Sequence, residues 1–164
     1  RLYGRYVRRL RRSLRPGVGE MCPGVVDILE QVDTIAQMGL LTGNWKDSAE
    51  VKLRTFGLSS YFEGCAGAYG GDAMSRNDLV PVAYHRARRR MRTVNRIVVI
   101  GDTPADVRCA QAGHTALQQW GVEVRSVAVE TGFASAEQLR GSDPDLCIKD
   151  FVSGRSALLE LIRG

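Results

Sequence analysis

The stretch that most constrains the fold is RIVVIGDTPADV, residues 96–107, in which an apolar run leads directly into a helix start. Short runs rich in Val and Ile are typical of buried strands. Thr103 is a common N-cap residue, and Pro104 suits the first helical position. The pattern therefore predicts a strand over 96–101 followed at once by a helix, which is the repeating unit of folds built on a parallel sheet.

The rest of the chain continues this alternation of strand-like and helix-like segments. We predict further strands over 34–41, 61–71, 124–132 and 145–150, and helices over 1–15, 24–32, 44–57, 78–92 and 153–163. The fold class is therefore α/β, with a Rossmann-like three-layer α/β/α arrangement around a parallel sheet. In such folds ligands bind beyond the carboxyl ends of the strands.

Composition narrows the class of protein. The 164-residue chain is 44% hydrophobic and 25% charged, which is typical of a folded domain. Its apolar runs are shorter than the roughly 20 residues of a membrane-spanning helix, and the basic N-terminal stretch lacks the apolar core of a signal peptide. The cysteines, Cys22, Cys65, Cys109 and Cys147, are too widely spaced to indicate a zinc site. We expect free thiols in a cytoplasmic protein.

Two arginine-rich stretches, 1–15 and 85–92, carry much of the basic charge behind the formal net charge of +5. A basic patch is one signature of nucleic-acid binding, and a nucleic-acid-associated protein is an alternative that predicts strongly salt-dependent affinity. Apolar residues nevertheless recur at helical spacing in both stretches: Leu2, Tyr6, Leu10 and Leu14 in the first, and Val80, Ala83, Tyr84, Ala87 and Met91 in the second. We therefore interpret the arginines as the solvated faces of amphipathic helices.

Small polar residues follow the predicted strand over 34–41. Gly43 allows a ligand to approach the backbone, and Thr42 and Asn44 offer a hydroxyl and an amide. Asn44 is also the predicted N-cap of the next helix, with Asp47 in the capping-box position. A helix start favours phosphate, although an ordinary capped turn has the same pattern.

Two carboxylates follow the strand over 96–101. Asp102 comes directly after it, and Asp106 lies in the first turn of the next helix. Mg²⁺ commonly takes one or two carboxylates together with water and phosphate oxygens, so Asp102 is a candidate ligand and Asp106 a candidate for orienting a metal-bound water. The alternative is that both acids only stabilise a helix N-terminus. Arg76, just before the helix over 78–92, is either a phosphate-binding cation or an ordinary exposed arginine.

The motifs LLTGN (40–44) and VVIGDTPAD (98–106), in this order, resemble the phosphatase branch of the haloacid dehalogenase-like superfamily, and in particular phosphoglycolate phosphatase-like members. The resemblance covers roughly residues 20–152. It implies a core of parallel strands and helices, Mg²⁺ as the cofactor, and a small phosphorylated metabolite as the substrate.

The resemblance also implies a role for each matching residue. Thr42, in its turn with Gly43 and Asn44, would bind the transferring phosphoryl group. Asp102 and Asp106 match the acidic motif G-D-x-x-x-D that holds Mg²⁺. Arg76 stands where the family usually has a lysine that neutralises the phosphate and the nucleophile.

One implied feature has no match. The family's nucleophile is the first Asp of a D-x-D motif that ends a central strand, and no such strand precedes residue 20. The only D-x-D, DPD at 143–145, precedes a predicted strand and is interpreted as a turn. We therefore expect residues 1–19 to be the remnant of a helical cap and 20–164 to be a core without its first strand, with unpaired or collapsed neighbours.

On this interpretation the chain is the C-terminal part of a longer phosphatase that works through an aspartyl-phosphate, and it is inactive alone. A catalytically inactive, anion-binding remnant is the alternative.

Overall fold

The computed structural model describes residues 2–14 and 19–164. Up to residue 95 the regular elements of the described chain are all helices, and strands and helices alternate from residue 96 onward. The strands are β1 (Arg96–Gly101), β2 (Glu123–Val129) and β3 (Leu146–Ile148). The helices are α1 (Leu2–Ser13), α2 (Val25–Asp33), α3 (Lys46–Thr55), α4 (Ser59–Phe62), α5 (Leu79–Arg88), α6 (Pro104–Leu117), α7 (Ala136–Arg140) and α8 (Arg155–Arg163). Short 3₁₀ helices span Arg76–Asp78 and Gln118–Trp120.

The three strands form one parallel sheet in the order β1-β2-β3. All of β1 is paired with β2, from Arg96 opposite Glu123 to Gly101 opposite Ala128. Helix α6 connects the first pair of strands and α7 the second, because parallel neighbours need a crossover connection. The strands predicted over 96–101, 124–132 and 145–150 are therefore present, with shorter bounds for the last two.

Helices cover both faces of the sheet. One face packs against α5 and α6, and the other packs against α2 and α8. The first cluster contains Leu79, Val80, Val99, Cys109 and Val124, and the second contains Ile28, Val127, Val129, Ile148 and Leu158. Successive residues of β2 alternate between the two faces, as the two-residue period of a strand requires. This arrangement confirms the predicted three-layer α/β/α class.

The prediction of strands over 34–41 and 61–71 is wrong. The two segments meet only in an isolated parallel bridge between Leu41 and Ala68. The Thr42 amide donates to the Ala68 carbonyl at 3.0 Å, and the Ala68 amide donates to the Leu40 carbonyl at 2.9 Å. Residues 39–44 and 66–70 are called the bridged pair below.

Glycines explain why the bridged pair does not extend into a ladder. A Cβ on Gly39 would lie 2.3 Å from the Ala66 carbonyl oxygen, and one on Gly70 would lie 2.0 Å from the Gly43 carbonyl oxygen. The two backbones therefore approach each other where side chains are absent. Cross-strand side-chain pairs are what stabilise a sheet, and glycine supplies none.

The edge of β1 away from β2 has no partner strand among the described residues. Ile100, on that strand, is 41% exposed. The expected unpaired edge is therefore present, and β1 has not collapsed onto the bridged pair.

The helix predicted over 1–15 lies within the described chain as α1, except for residues 1 and 15 and the side chain of Leu2, which lie outside the described part. The buried face of α1 differs from the predicted one. Tyr6, a predicted member of the apolar stripe, is half-exposed, whereas its neighbour Val7 is buried. Helix α1 contacts α3. The division into a cap remnant (1–19) and a core (20–164) stays a prediction. Within the described ranges, every helix is too short or too polar to span a lipid bilayer.

Candidate functional site

Asp102 lies at the carboxyl end of β1, beside the turn that follows β2. Its side chain contacts Gly132 so closely that a Cβ there would lie 2.3 Å from the Asp102 carboxylate. The side chain is exposed, and it forms no hydrogen bond or ion pair with any described residue. Its oxygens are therefore available to an incoming cation or a water molecule.

Asp106 is held by the protein itself. Its side chain is buried, and one carboxylate oxygen accepts hydrogen bonds from the Thr103 amide (3.0 Å) and hydroxyl (2.6 Å). The other oxygen accepts from the Arg76 guanidinium and forms an ion pair with it. Thr103 is the N-cap and Pro104 the first residue of α6, as predicted. Both oxygens of Asp106 are thus occupied by protein donors.

Arg76 is positioned by the elements on either side of it. Ser75 caps the 3₁₀ helix that Arg76 begins, through a hydrogen bond from the Asn77 amide. The buried Cys109 thiol of α6 donates to the Arg76 carbonyl at 3.0 Å. Burial raises the pKa of the Cys109 thiol, so the thiol stays protonated as this hydrogen bond requires.

The guanidinium of Arg76 connects the candidate site to the bridged pair. A Cβ on Gly43 would lie 3.3 Å from its Nη1 atom, while Nη2 contacts Asp106. The buried Nε atom has no hydrogen-bond partner among the described residues. The side chain is 37% exposed, so its cationic end can meet a ligand from solvent. A side chain larger than glycine at position 43 would press on this guanidinium.

Thr42 and Asn44 form a small network with a lysine that the sequence did not indicate. The Asn44 amide and side-chain nitrogen both donate to the Thr42 hydroxyl oxygen, at 3.1 and 2.8 Å. Lys52 of α3 donates to the Asn44 side-chain oxygen at 3.2 Å. The Thr42 hydroxyl hydrogen remains available for a ligand.

The prediction that Asn44 is the N-cap of α3 is wrong. The helix begins one residue later than that prediction requires, with Trp45 at the N-cap position and no side-chain cap. The physical reason is that the Asn44 side chain is already bonded to Thr42 and Lys52.

The structure brings together some of the predicted site residues. Gly43, Arg76 and Asp106 are in contact, although 30 or more residues separate successive members in the sequence. Asp102 lies at the end of the same strand that leads into Asp106, but it forms no hydrogen bond or ion pair with Arg76 or Thr42. That all of these residues share one pocket stays a prediction.

Sequence reasoning missed Lys52 and Cys109. Helical spacing places both on buried or half-buried faces, but nothing local to either residue indicates its partner. The turn Thr131–Gly132 is a small polar pair at the end of a strand. Its close contact with Asp102 is a tertiary feature.

The only D-x-D motif, 143–145, lies in the bend before β3. Asp143 has a left-handed backbone with φ 57°. The Asp145 carboxylate accepts hydrogen bonds from the Ser126 amide and hydroxyl, both at 2.8 Å, and pairs with Arg125 at 2.7 Å. The motif is therefore a turn that fastens β3 to β2, as interpreted from the sequence.

The donor set can be tested against Mg²⁺. Among the described residues, no three acidic, His or Cys side chains cluster as a metal site. Of the two predicted metal residues, only Asp102 offers an unpaired carboxylate, and Mg²⁺ is often held by one carboxylate with waters and phosphate oxygens. Asp102 fits that ion. Asp106 does not fit as a direct ligand in this structure, because Thr103 and Arg76 occupy both of its oxygens.

Comparison with known structures shows a shared fold. A haloacid dehalogenase-like family protein from Streptococcus pneumoniae superimposes with a TM-score of 0.64 at 18% identity, covering 83% of this chain and 59% of that one. A predicted phosphatase from Clostridium acetobutylicum gives a TM-score of 0.62 at 20% identity, covering 84% and 59%. A predicted phosphoglycolate phosphatase from Haemophilus somnus gives 0.63 at 18%, covering 87% and 58%. The chain thus spans about 60% of the length of these structures.

Sequence comparison identifies the family. No curated protein matches the sequence. The family model of haloacid dehalogenase-like hydrolases matches residues 6–114, and a second, HAD-hydrolase-like model matches residues 76–153. Together the two matches include LLTGN, Arg76 and GDTPAD, the residues whose positions are described above. The chain belongs to the haloacid dehalogenase-like hydrolase family.

Proposed function

We propose that this chain carries the phosphate-binding and metal-binding part of a Mg²⁺-dependent phosphatase that acts on a small phosphorylated metabolite. The observation that carries the proposal is the Arg76 guanidinium, which Asp106 holds beside Gly43 at the carboxyl end of the sheet. A guanidinium held in place beside a glycine can bind a phosphoryl group, because it offers positive charge and hydrogen-bond donors and the glycine leaves room.

Each residue has a stated role in the proposal. Thr42 donates its hydroxyl hydrogen to a phosphoryl oxygen, and Gly43 leaves room for that oxygen near the backbone. Asn44 keeps the Thr42 hydroxyl oriented by donating to it. Arg76 balances the negative charge of the phosphoryl group, and positioned charges of this kind supply much of the catalysis in phosphoryl transfer.

Asp102 is the proposed metal ligand, because its carboxylate is exposed and unpaired among the described residues. When bound there, Mg²⁺ would neutralise negative charge on the transferring group. Asp106 has a different role from the one expected of it. Its ion pair with Arg76 and its hydrogen bonds to Thr103 make it a positioning residue for the guanidinium.

The proposal places the nucleophilic aspartate on a segment outside residues 1–164. Two findings support this placement: DPD at 143–145 is a turn bonded to Ser126, and the chain spans about 60% of the solved relatives. The aspartate oxygen would attack phosphorus, the ester oxygen would leave as an alcohol after protonation, and water would release phosphate from the acyl phosphate.

Phosphate release from p-nitrophenyl phosphate by the full-length protein tests the proposal. We expect Mg²⁺-dependent release, reduced about 100-fold by Asp102→Asn and by Arg76→Ala. Arg76→Lys keeps a cation and should retain more activity than Arg76→Ala. The matched controls are Asp33→Asn and Arg108→Ala, which alter exposed side chains of the same type outside the site.

Calorimetry with inorganic phosphate separates the phosphatase from an inactive remnant. Phosphate binding that Arg76→Ala weakens and Arg108→Ala does not, in a full-length protein without turnover, identifies an anion-binding protein and contradicts the hydrolase. Activity unaffected by Asp102→Asn and Arg76→Ala contradicts the proposed site.

A further inference from the structure

A groove of about 490 Å³ lies between the start of α3, the segment over 65–72 and the end of α5. Its walls include Trp45 and Tyr69 as well as basic side chains of α3 and α5. It shares no lining residue with the candidate site at Thr42–Asn44, Arg76, Asp102 and Asp106. The proposed phosphatase makes no use of it.

One arginine of the groove is structural. Arg86 donates to both carboxylate oxygens of Asp72, at 2.6 and 2.8 Å, and to the Gly67 carbonyl at 2.7 Å. The Asp72 carboxylate also accepts from the Tyr69 amide at 2.8 Å. These bonds fix the wall formed by the bridged pair against α5, so the groove is shaped before any ligand arrives.

Two further arginines of the groove are not neutralised. Arg89 and Arg90 are exposed, and neither forms an ion pair with a described residue. Lys46, across the groove, lies 4.0 Å from Glu50 on its own helix. Since the only carboxylate lining the groove is bonded to Arg86, the groove carries an excess of positive charge. Guanidinium groups match phosphate in both charge and geometry.

The aromatic wall supplies a second kind of recognition. The Trp45 indole lies against Gly71, where a Cβ would lie 2.7 Å from the ring, and Trp45 is 56% exposed. Tyr69 is half-buried beside it in the groove wall. Nucleic-acid bases stack on such rings, and a nearby cation that binds the phosphate is the usual companion of that stacking.

We propose that this groove binds a nucleoside phosphate, with the base against Trp45 and the phosphate at Arg89 and Arg90. A cavity of about 490 Å³ lies within the range of small-molecule sites. An inorganic anion would use the arginines but not the aromatic wall, and an apolar ligand would use the wall but not the arginines. A nucleotide uses both.

Trp45 fluorescence in a Trp120→Phe variant tests the proposal, because Trp45 is then the only tryptophan of the chain. AMP is expected to quench it, whereas adenosine and ribose 5-phosphate each bind at least about tenfold more weakly. Calorimetry gives the affinities independently of the ring. The variant Arg89→Ala/Arg90→Ala is expected to weaken AMP binding at least about tenfold.

The matched control is Arg88→Ala/Arg92→Ala, which removes the same charge from exposed arginines of the same region that do not line the groove. Equal AMP affinity in the two double variants overturns the proposal, as does AMP binding no tighter than ribose 5-phosphate. Binding to oligothymidylate without binding to AMP also overturns it. If Arg76→Ala still binds AMP, the ligand lies in the groove. If Arg76→Ala no longer binds AMP, the ligand lies in the candidate site and the proposal is overturned. These outcomes do not depend on phosphatase activity.

Discussion

The parallel sheet and the bridged pair are held together differently. In the sheet, six consecutive residues of β1 pair with β2, and buried side chains cover both faces. In the bridged pair, one bridge joins Leu41 to Ala68, and glycines occupy the places where the backbones are closest. The sheet is stabilised by a continuous ladder and by side-chain burial on both faces. The bridged pair contributes only Ala68 and part of Leu41 to the core and otherwise depends on a few backbone hydrogen bonds.

This difference has a functional side. The candidate site draws Asp102 and Asp106 from the end of the sheet, and Thr42, Gly43 and Asn44 from the bridged pair. Arg76 contacts both groups, through Asp106 and Gly43. The acidic residues thus follow a strand held by a full ladder, whereas the proposed phosphate-binding residues lie next to a single bridge.

The same substitution in the two regions should give unequal losses of stability. Leu158 is fully buried in the cluster between the sheet and α8. Leu158→Ala should lower the free energy of unfolding by about 3 kcal/mol, because it removes buried apolar atoms and leaves a cavity. Leu41 in the bridged pair is only half-buried, and Leu41→Ala should lose about 1 kcal/mol. Denaturant unfolding followed by circular dichroism measures both. Equal losses would show that the bridged pair is as well packed as the sheet.

Sequence reasoning succeeded where the signal was local. The run of Val and Ile over 97–100 and the Thr103–Pro104 helix start are contiguous, so they specified β1 and α6 together. The apolar stretch over 34–41 satisfied the same criteria for a strand. It failed to become one because a strand also needs a neighbour with side chains to pair, and its neighbour is rich in glycine.

The site shows the same limit. The acidic and hydroxyl residues of the candidate site could be identified from the sequence, because the ends of strands and the starts of helices have local sequence signals. The bond between Arg76 and Asp106, across 30 residues, could not be predicted from the sequence. It is this bond that makes Asp106 a positioning residue in the proposed site. Lys52 was missed for the same reason, since its contact with Asn44 depends on how α3 leaves the turn.

Hydrogen exchange should separate the two regions directly. The amides of Thr42, Ala68 and Gly70 are expected to exchange on the order of 100-fold faster than those in the middle of β2, because opening one bridge exposes little apolar surface. The measurement is residue-resolved exchange by NMR under native conditions. Similar protection in both regions would mean that the bridged pair opens only when the whole domain unfolds.

A glycine substitution should disturb the bridged pair and the site together. Gly70→Ala places a Cβ 2.0 Å from the Gly43 carbonyl oxygen, which is backbone and has no rotamer to change. We expect a loss of about 2 kcal/mol in unfolding free energy and weaker phosphate binding, because Gly43 adjoins Arg76. Gly4→Ala, where nothing lies within 4 Å, is the control and should leave phosphate affinity unchanged. Unaltered phosphate affinity in Gly70→Ala would separate the bridged pair from the site.

The smallest expected difference concerns two carboxylates with matching partners. Asp145, between β2 and β3, accepts from Arg125 and the Ser126 amide, and Asp72, beside the bridged pair, accepts from Arg86 and the Tyr69 amide. Burial alone would raise the pKa of Asp145, but its hydrogen bonds bring that pKa below the ordinary 3.8. The hydrogen bond from Arg86 lowers the pKa of Asp72 below the same value.

A carboxylate whose pKa is lowered by folding stabilises the folded state above its ordinary pKa, and this contribution is lost as the pH falls through the folded-state pKa. Asp145→Asn should therefore cost about 1 kcal/mol at neutral pH. The difference from the wild type should close as the pH falls below the ordinary pKa of 3.8 and through the lower pKa of the folded state. Asp72→Asn should change global unfolding less, since Asp72 fastens a region that opens locally, and its effect should appear as faster exchange of the Tyr69 amide. Unfolding curves of both variants and the wild type, recorded across this pH range, measure the two losses of global stability. If both variants lose the same global stability, the bridged pair unfolds together with the sheet, and the proposed phosphate-binding residues are held as firmly as the two acids.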